Sequence, residues 1–410
     1  MKNSTPTSHH SPHYHCRHTR PWRLLWATIR HEVWAIASSP AILLVMLGGV
    51  VIYGLLYGLL YRPNIVTDAP VVVIDHSNTS LSRRLVELMD ATPEVAVINT
   101  ATDLPQARAL MATGTAEAIV CIPHNVERLI GRGEEAIFVV LASTAEFLYY
   151  EAIRRGTLGA MQALDGELAA SMVVFLPEED VATIASIKPI EVVGNALFNP
   201  SKGYATYLLP AVLMVILFQT MTMVVCLRTG GDRERGRLRY GPTTHSGLLD
   251  ALVLVIGRSV VYVAIYGLFA LFLMGFITHL FDLPHLGSFA TLAPIVVPYL
   301  VATSLFGITF STLFADSEAA LPAVATFSVG LILLSGISYP LELMPRPWVL
   351  LHHLLPAPVG IMAYVKTNSM GASVAECCEE ISTLWWQCGA YLVLSTLAMW
   401  RLGYILKERN

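Results

Sequence analysis

Residues 70–98 read PVVVIDHSNTSLSRRLVELMDATPEVAVI. VVVID is a short apolar run rich in β-branched residues and predicts a buried strand. Leu81, Leu85, Leu88 and Met89 then recur at helical spacing, and VAVIN predicts a second strand. The pattern continues downstream. Leu104, Ala107, Leu110 and Met111 mark a short helix, EAIVCIP a third strand and AIFVVLA a fourth. A helical stretch then runs from roughly 145 to 173, and SIKPIEVV predicts a returning strand. This is the pattern of a soluble α/β unit. Yet the residues just upstream, 39–61, read SPAILLVMLGGVVIYGLLYGLLY without a single charge, and about 20 apolar residues suffice to cross a bilayer.

The composition favours the membrane. The 410 residues are 54% hydrophobic and 14% charged, with a mean hydropathy of +0.58. A soluble domain carries about 25% charged residues, so this chain is too poor in charge to cover a water-facing surface throughout. The formal net charge of -4 says little, because the charges are unevenly placed. The six cysteines (Cys16, Cys121, Cys226, Cys377, Cys378 and Cys388) fit no zinc spacing and read as small packing residues. Residues 1–20 have no hydrophobic core and are not a signal peptide. His9, His10, His13, His15 and His18 could hold a metal. The plainer reading is a disordered, His-rich tail with no metal site, because such a polar tract buries too little surface to order.

Six segments are apolar enough to be read as spans: 40–61, 207–227, 260–281, 292–314, 319–338 and 384–400. Pro210, Pro294, Pro298 and Pro322 fall near the expected helix starts, with Pro298 the candidate for a kink. Arginine and lysine set the orientation. Arg17, Arg20, Arg23 and Arg30 precede the first span. Arg228, Arg233, Arg235, Arg237 and Arg239 lie between the second and third, and Arg401, Lys407 and Arg409 follow the last. The long stretch 339–383 holds only Arg346 and Lys366. These counts place both termini and a loop over 228–258 in the cytoplasm. They place the α/β unit, 62–203, and a loop over 339–383 outside it.

The expected layout is therefore a polytopic α-helical membrane protein of about six transmembrane helices with an inserted extracytoplasmic α/β domain. Residues 204–402 form a five-helix membrane domain, and 403–410 a cytoplasmic tail. Residues 21–38 form an amphipathic interfacial helix in which Trp22, Leu25, Trp26, Ile29, Val33 and Ile36 share a stripe.

Chemistry-bearing motifs are scarce. The chain contains no G-x-x-x-x-G-K-[ST], no H-E-x-x-H and no G-x-S-x-G, and the turn after VVVID lacks glycine. No catalytic, cofactor or metal residue is expected. None of the six segments carries Asp, Glu, Lys or Arg in its interior, which argues against a proton-driven pump. Arg258, just before the third segment, is expected to snorkel to the cytoplasmic surface. Glu234 stands among Arg233, Arg235, Arg237 and Arg239. Orientation does not require an acid there, so it points to a pairing role, within the loop or with a partner.

Three stretches resemble the type-2 ABC exporter permeases that carry a large extracytoplasmic domain after the first span. They are VVVIDHSNTSLSRRLVELMDAT, then ALFNPSKGYATYLLPAVLMVILFQ with Asn199 and Pro200, then SGISYPLELMPRPWVLLHHLLPAPVG with Gly336, Pro340, Met344, Pro345 and Pro356. Where that family usually reads Arg-Glu-x-Gly-Thr, this chain has Arg233, Glu234, Arg235 and Gly236 followed by Arg237. Arg258 stands where the family often has lysine. The resemblance implies a bacterial inner-membrane permease that works as a homo- or heterodimer with a cytoplasmic ATPase, which binds the ATP. It also implies, for many members, a periplasmic adaptor and an outer-membrane channel. Membrane lipid is the remaining expected partner, and no nucleic acid is expected. Arg233, Glu234, Arg235, Gly236 and Arg258 are then the candidates for coupling to the ATPase. The rival reading is a membrane-anchored ligand-binding or sensory protein without transport, but six spans exceed what an anchor needs.

Overall fold

The computed structural model describes residues 21–132, 134, 136–144, 146–174, 198–199, 203–234, 247–314 and 316–408. The histidine-bearing residues 1–20, the strand expected at SIKPIEVV, Pro200, Arg235 and Gly236 lie outside the described residues. The chain divides into two compact units: Pro63–Gly203, and Met1–Arg62 together with Tyr204–Asn410.

The unit Pro63–Gly203 is built on a sheet of order β2-β1-β3-β4, with β1 (Ala69–Asp75), β2 (Val95–Thr100), β3 (Ala118–Ile122) and β4 (Val139–Ala142). The first three strands are parallel and β4 is antiparallel to β3. Parallel strands require helices on the sheet faces. That explains why β1 is apolar on both sides rather than alternating. Val71 and Val73 meet Leu85 and Met89 of the helix Ser80–Asp90 and Ile153 of the helix Phe147–Val174. Val72 and Ile74 face Ala107 of the helix Leu104–Ala112. A reciprocal cap starts Ser80–Asp90: Thr79 accepts from the Ser82 amide, and Ser82 accepts from the Thr79 amide. Arg84 then donates to both carboxylate oxygens of Glu167, at 3.0 and 2.7 Å, and joins the two helices on that face. The four strands and three helices expected between 70 and 173 are all present.

The helices of the other unit are αA to αH here: αA (Pro21–Ala37), αB (Pro40–Leu60), αC (Tyr204–Glu234), αD (Leu248–Leu280), αE (Phe289–Ser311), αF (Ala320–Leu334), the bent pair αG (Arg346–Leu354 and Pro356–Met370), and αH (Cys378–Glu408). αB, αC, αD and αE are long and apolar enough to cross a membrane, and αG would be a fifth if counted as one span. The other two expected spans are not among these. αF has 15 residues, about 22 Å at 1.5 Å per residue against a core of about 30 Å. αH has the length but dilutes its apolar residues with Trp385, Trp386, Gln387 and Tyr391.

The described residues of both expected loops are largely helical. The segment 228–258 holds the last turns of αC and the first eleven residues of αD, and 339–383 holds αG. In αG, Leu355 is extended because Pro356 follows it and excludes the helical region for the preceding residue. The chain turns by 86°. The carbonyls freed at this break find donors on αH. Gln387 Nε2 donates to the oxygens of His353 and Leu355 at 2.7 and 3.1 Å, and Tyr391 OH donates to that of Leu354 at 2.8 Å. Pro210, Pro294 and Pro298 sit inside αC and αE rather than at helix starts.

αC is enclosed along most of its apolar length, whereas αB leaves most of its surface uncovered. Small residues permit the contacts αB does make. A Cβ on Gly49 would stand 2.7 Å from Thr220 of αC, one on Gly54 2.7 Å from Leu273, and one on Gly58 2.1 Å from the Phe281 ring. Overpacking of this kind costs about 1–3 kcal/mol. Gly58→Leu should therefore lower the thermal midpoint in detergent, and Gly58→Leu/Phe281→Ala should recover part of the loss. Gly267→Ala meets nothing within 4 Å and should leave the midpoint unchanged. Equal midpoints for Gly58→Leu and Gly267→Ala would refute the close contact.

Candidate functional site

αA has an inward and an outward side. Leu25 and Thr28 pack on Gly257 of αD, where an added Cβ would come within 3.3 and 3.0 Å of them. Ile36 and Glu32 are buried on the same side. Trp22, Trp26 and Val33 are exposed, so the expected apolar stripe is split. The inward face is centred on Glu32, an acid only 1% exposed.

Glu32 is buried because it meets two arginines. Its Oε2 lies 3.4 Å from Arg228 Nη2 on αC and 3.5 Å from Arg258 Nε on αD. Its Oε1 accepts from Tyr262 OH at 2.5 Å. Asp232, one turn after Arg228, accepts from Arg228 Nη1 through one carboxylate oxygen and from Arg258 Nη2 through the other. Arg258 Nη1 also lies 3.4 Å from Thr229 Oγ1, and Arg228 Nη2 lies 3.4 Å from His31 Nδ1. All four charged side chains are at most 5% exposed. Two acids and two guanidinium groups cancel, so the cluster is neutral as a whole. That is the condition for keeping charges away from water.

The candidates from the sequence separate here. Arg258 does not snorkel to a surface: αD begins at Leu248, so Arg258 lies well inside it and points into the cluster. Glu234 has a partner in this chain, accepting from the Ser317 amide at 2.7 Å in the turn before αF. Gly230 makes that approach possible, since a Cβ there would sit 2.7 Å from Ser317 Cα. Arg233 is half-buried in the last turn of αC. Asn199 clamps the chain entering αC, donating to the Gly203 oxygen at 3.0 Å and accepting from its amide at 3.1 Å.

The remaining motif positions shape the chain between αF and αG rather than the cluster. Gly336 has φ +87°, a region that favours glycine. Pro340 and Met344 flank a 3-10 turn, and Pro345 precedes the first arm of αG. Glu32, Arg228, Asp232 and Tyr262 were not singled out from the sequence. The available signal was Arg228 and Asp232 at i,i+4, which shows only if the helix is carried through Gly230 and Gly231. Among the described residues no group of three or more His, Cys, Asp or Glu could hold a metal ion, and the described cysteines are free.

Residues 40–397 match the model of the ABC-2 family transporter proteins, and the chain belongs to that family. Two curated relatives, from Escherichia coli (strain K12) and Escherichia coli O157:H7, are each named probable multidrug ABC transporter permease YbhR. Each is 21% identical over 333 residues, which cover 78% of this chain and 83% of the relative. The chain is thus a membrane transporter protein of the ABC-2 type.

Removing one member of a buried ionic group strands its partners and costs about 3–5 kcal/mol. Asp232→Leu should destabilise the chain by that order, and Asp232→Leu/Arg258→Leu should be less destabilised, because Glu32 and Arg228 still cancel. Thermal unfolding of the two single variants and the double in detergent measures the coupling. Strictly additive losses would mean that the four groups do not act together.

Proposed function

We propose that this chain is the permease subunit of an ATP-driven exporter, with ATP bound and hydrolysed on a separate cytoplasmic subunit. The observation that carries the reading is the ABC-2 match over residues 40–397 in a chain that contains no G-x-x-x-x-G-K-[ST] of its own. Export, rather than import, is supported by the relatives' name, which describes multidrug permeases. Two permease subunits, identical or paired with a second kind, would enclose the pathway between them. The bacterial origin of the relatives supports a bacterial inner-membrane location, and arginine placement supports both termini being cytoplasmic and the unit Pro63–Gly203 lying outside the cytoplasm. There it would extend the pathway or meet a periplasmic adaptor and an outer-membrane channel.

On this reading the ionic cluster lies at the cytoplasmic end, at the last turns of αC. An ATPase pushing on either αA or the end of αC acts on helices tied through Glu32 and Asp232. The push then reaches αC, the enclosed helix, and αD together. No step of catalysis is assigned to this chain.

Two measurements test the proposal. In liposomes, the purified chain alone should neither hydrolyse ATP nor exchange solute against a proton gradient, and ATP-dependent transport should appear only with a cognate P-loop ATPase. Proton-driven transport by the lone chain would overturn it. On a Cys-free background, Thr113→Cys should react with an impermeant thiol reagent added outside intact cells, whereas Arg401→Cys should react only after permeabilisation. The reverse pattern would invert the orientation.

A further inference from the structure

The outward side of αA is the opposite of its inward one. Trp22, Trp26 and Trp34 are 70%, 63% and 66% exposed. Arg23 and Arg30 are exposed between them. At 100° per residue, Trp22, Trp26, Arg30, Arg23 and Trp34 follow one another within an arc of about 120°, the side away from Glu32. Together they line an open trough of ≈ 670 Å³. Among the described residues, neither arginine has an ion-pair or hydrogen-bond partner. The inward arginines are fully neutralised by Glu32 and Asp232, so the outward pair is left as uncompensated positive charge set among indole rings.

We propose that this face is a binding site for the phosphate of an anionic phospholipid headgroup. The inference rests on the membrane reading of the chain and not on its pairing with an ATPase. Indole rings favour the headgroup region, where an apolar body and an N–H donor are both accommodated. Guanidinium groups match phosphate with paired donors. A zwitterionic lipid offers the same phosphate but cancels its charge with a cationic head. An anionic one leaves a net charge to complement Arg23 and Arg30. The bound lipid holds αA from outside while Glu32 holds it from inside.

The test uses the full chain in phosphatidylcholine nanodiscs, with Trp348, Trp385, Trp386 and Trp400 changed to Phe so that only the αA indoles and no others report. Brominated phosphatidylglycerol or brominated phosphatidylcholine is added at equal mole fractions, and quenching of tryptophan fluorescence is followed. The anionic lipid is expected to quench at a mole fraction lower by about fivefold or more, since each arginine near an anionic surface contributes about a fivefold preference. The preference should fall at high salt, survive in Arg23→Lys/Arg30→Lys and vanish in Arg23→Gln/Arg30→Gln. Both pairs are exposed, so the variants should fold. Equal quenching by the two lipids, or a preference that survives the Gln variant, overturns the proposal. Indoles shielded from both lipids also overturn it, because the face is then covered by protein: residues 1–20 or a second copy. A companion chain that keeps only Trp385 and Trp386 reports insertion through quenching by brominated phosphatidylcholine. Failure of the membrane reading is thereby distinguished from failure of the headgroup site.

Discussion

Glu32, Arg228, Asp232 and Arg258 can be buried only together. A single uncompensated charge in this interior costs several kcal/mol, and two acids with two guanidinium groups bring the sum to zero. The four come from three helices, so their meeting fixes how those helices sit. A one-residue slip along αA would turn Glu32 by 100° away from Arg228 and Arg258. Sliding by a full turn would move it by about 5.4 Å, beyond any ion pair. The apolar faces of αA, αC and αD are tolerant of such shifts, because one leucine side can replace another. The ionic group is not, and it sets the register that the packing then fills.

The same demand for satisfied polar groups explains the bend of αG. A chain that crosses or enters a bilayer away from helical geometry exposes carbonyls that lipid cannot serve. Pro356 forces the break, and Gln387 and Tyr391 of αH supply three hydrogen bonds to the carbonyls of His353, Leu354 and Leu355. The polar residues that lower the hydropathy of αH are thus the ones that make the bend of αG tenable.

The legibility of the sequence follows the same division. β1 and the helix Ser80–Asp90 were readable because each buries its own period, with Val71 and Val73 on one sheet face, Val72 and Ile74 on the other, and Leu85 and Met89 beneath the first. The membrane helices αB, αC, αD and αE were readable as apolar runs. What escaped were features whose meaning depends on a distant partner. Gly230 lies within the expected loop 228–258, but it is small because Ser317 lies against it. Arg228 read as a topology signal and Arg258 as a side chain reaching for the cytoplasmic surface, but their counter-charges are Asp232 on αC and Glu32 on αA. Pro340, Pro345 and Pro356 read as a loop, whereas two of the three border the arms of αG. Glu234 read as an acid with a pairing role, and among its contacts is the backbone amide of Ser317, far away in sequence.

These constraints decide how force can travel through the helical unit. αA is bound to the rest by a packed side, with Leu25 and Thr28 against Gly257 and Ile29 and Ile36 in the apolar core, and by Glu32. Moving αA alone would draw Glu32 away from two guanidinium groups and leave one excess positive charge inside, at about 3–5 kcal/mol. Moving αA and αD together would leave Glu32 on Arg258 and Tyr262, and would strain only the contacts to Arg228 and Asp232. Those contacts belong to αC, which is walled in by its neighbours. Carrying all three helices as a body breaks none of the pairs. The least costly motion at this end is therefore a tilt of αA, αD and the end of αC as one piece, and the hinge for it must lie farther along the spans. The π turns Leu44–Gly48 in αB and Phe272–Ile277 in αD are where the regular helical ladder is already interrupted. αB meets αD at the second of these through Gly54 and Leu273. A tilt imposed at the ionic cluster would be absorbed there, between two helices whose contact is made by glycine rather than by interlocked side chains.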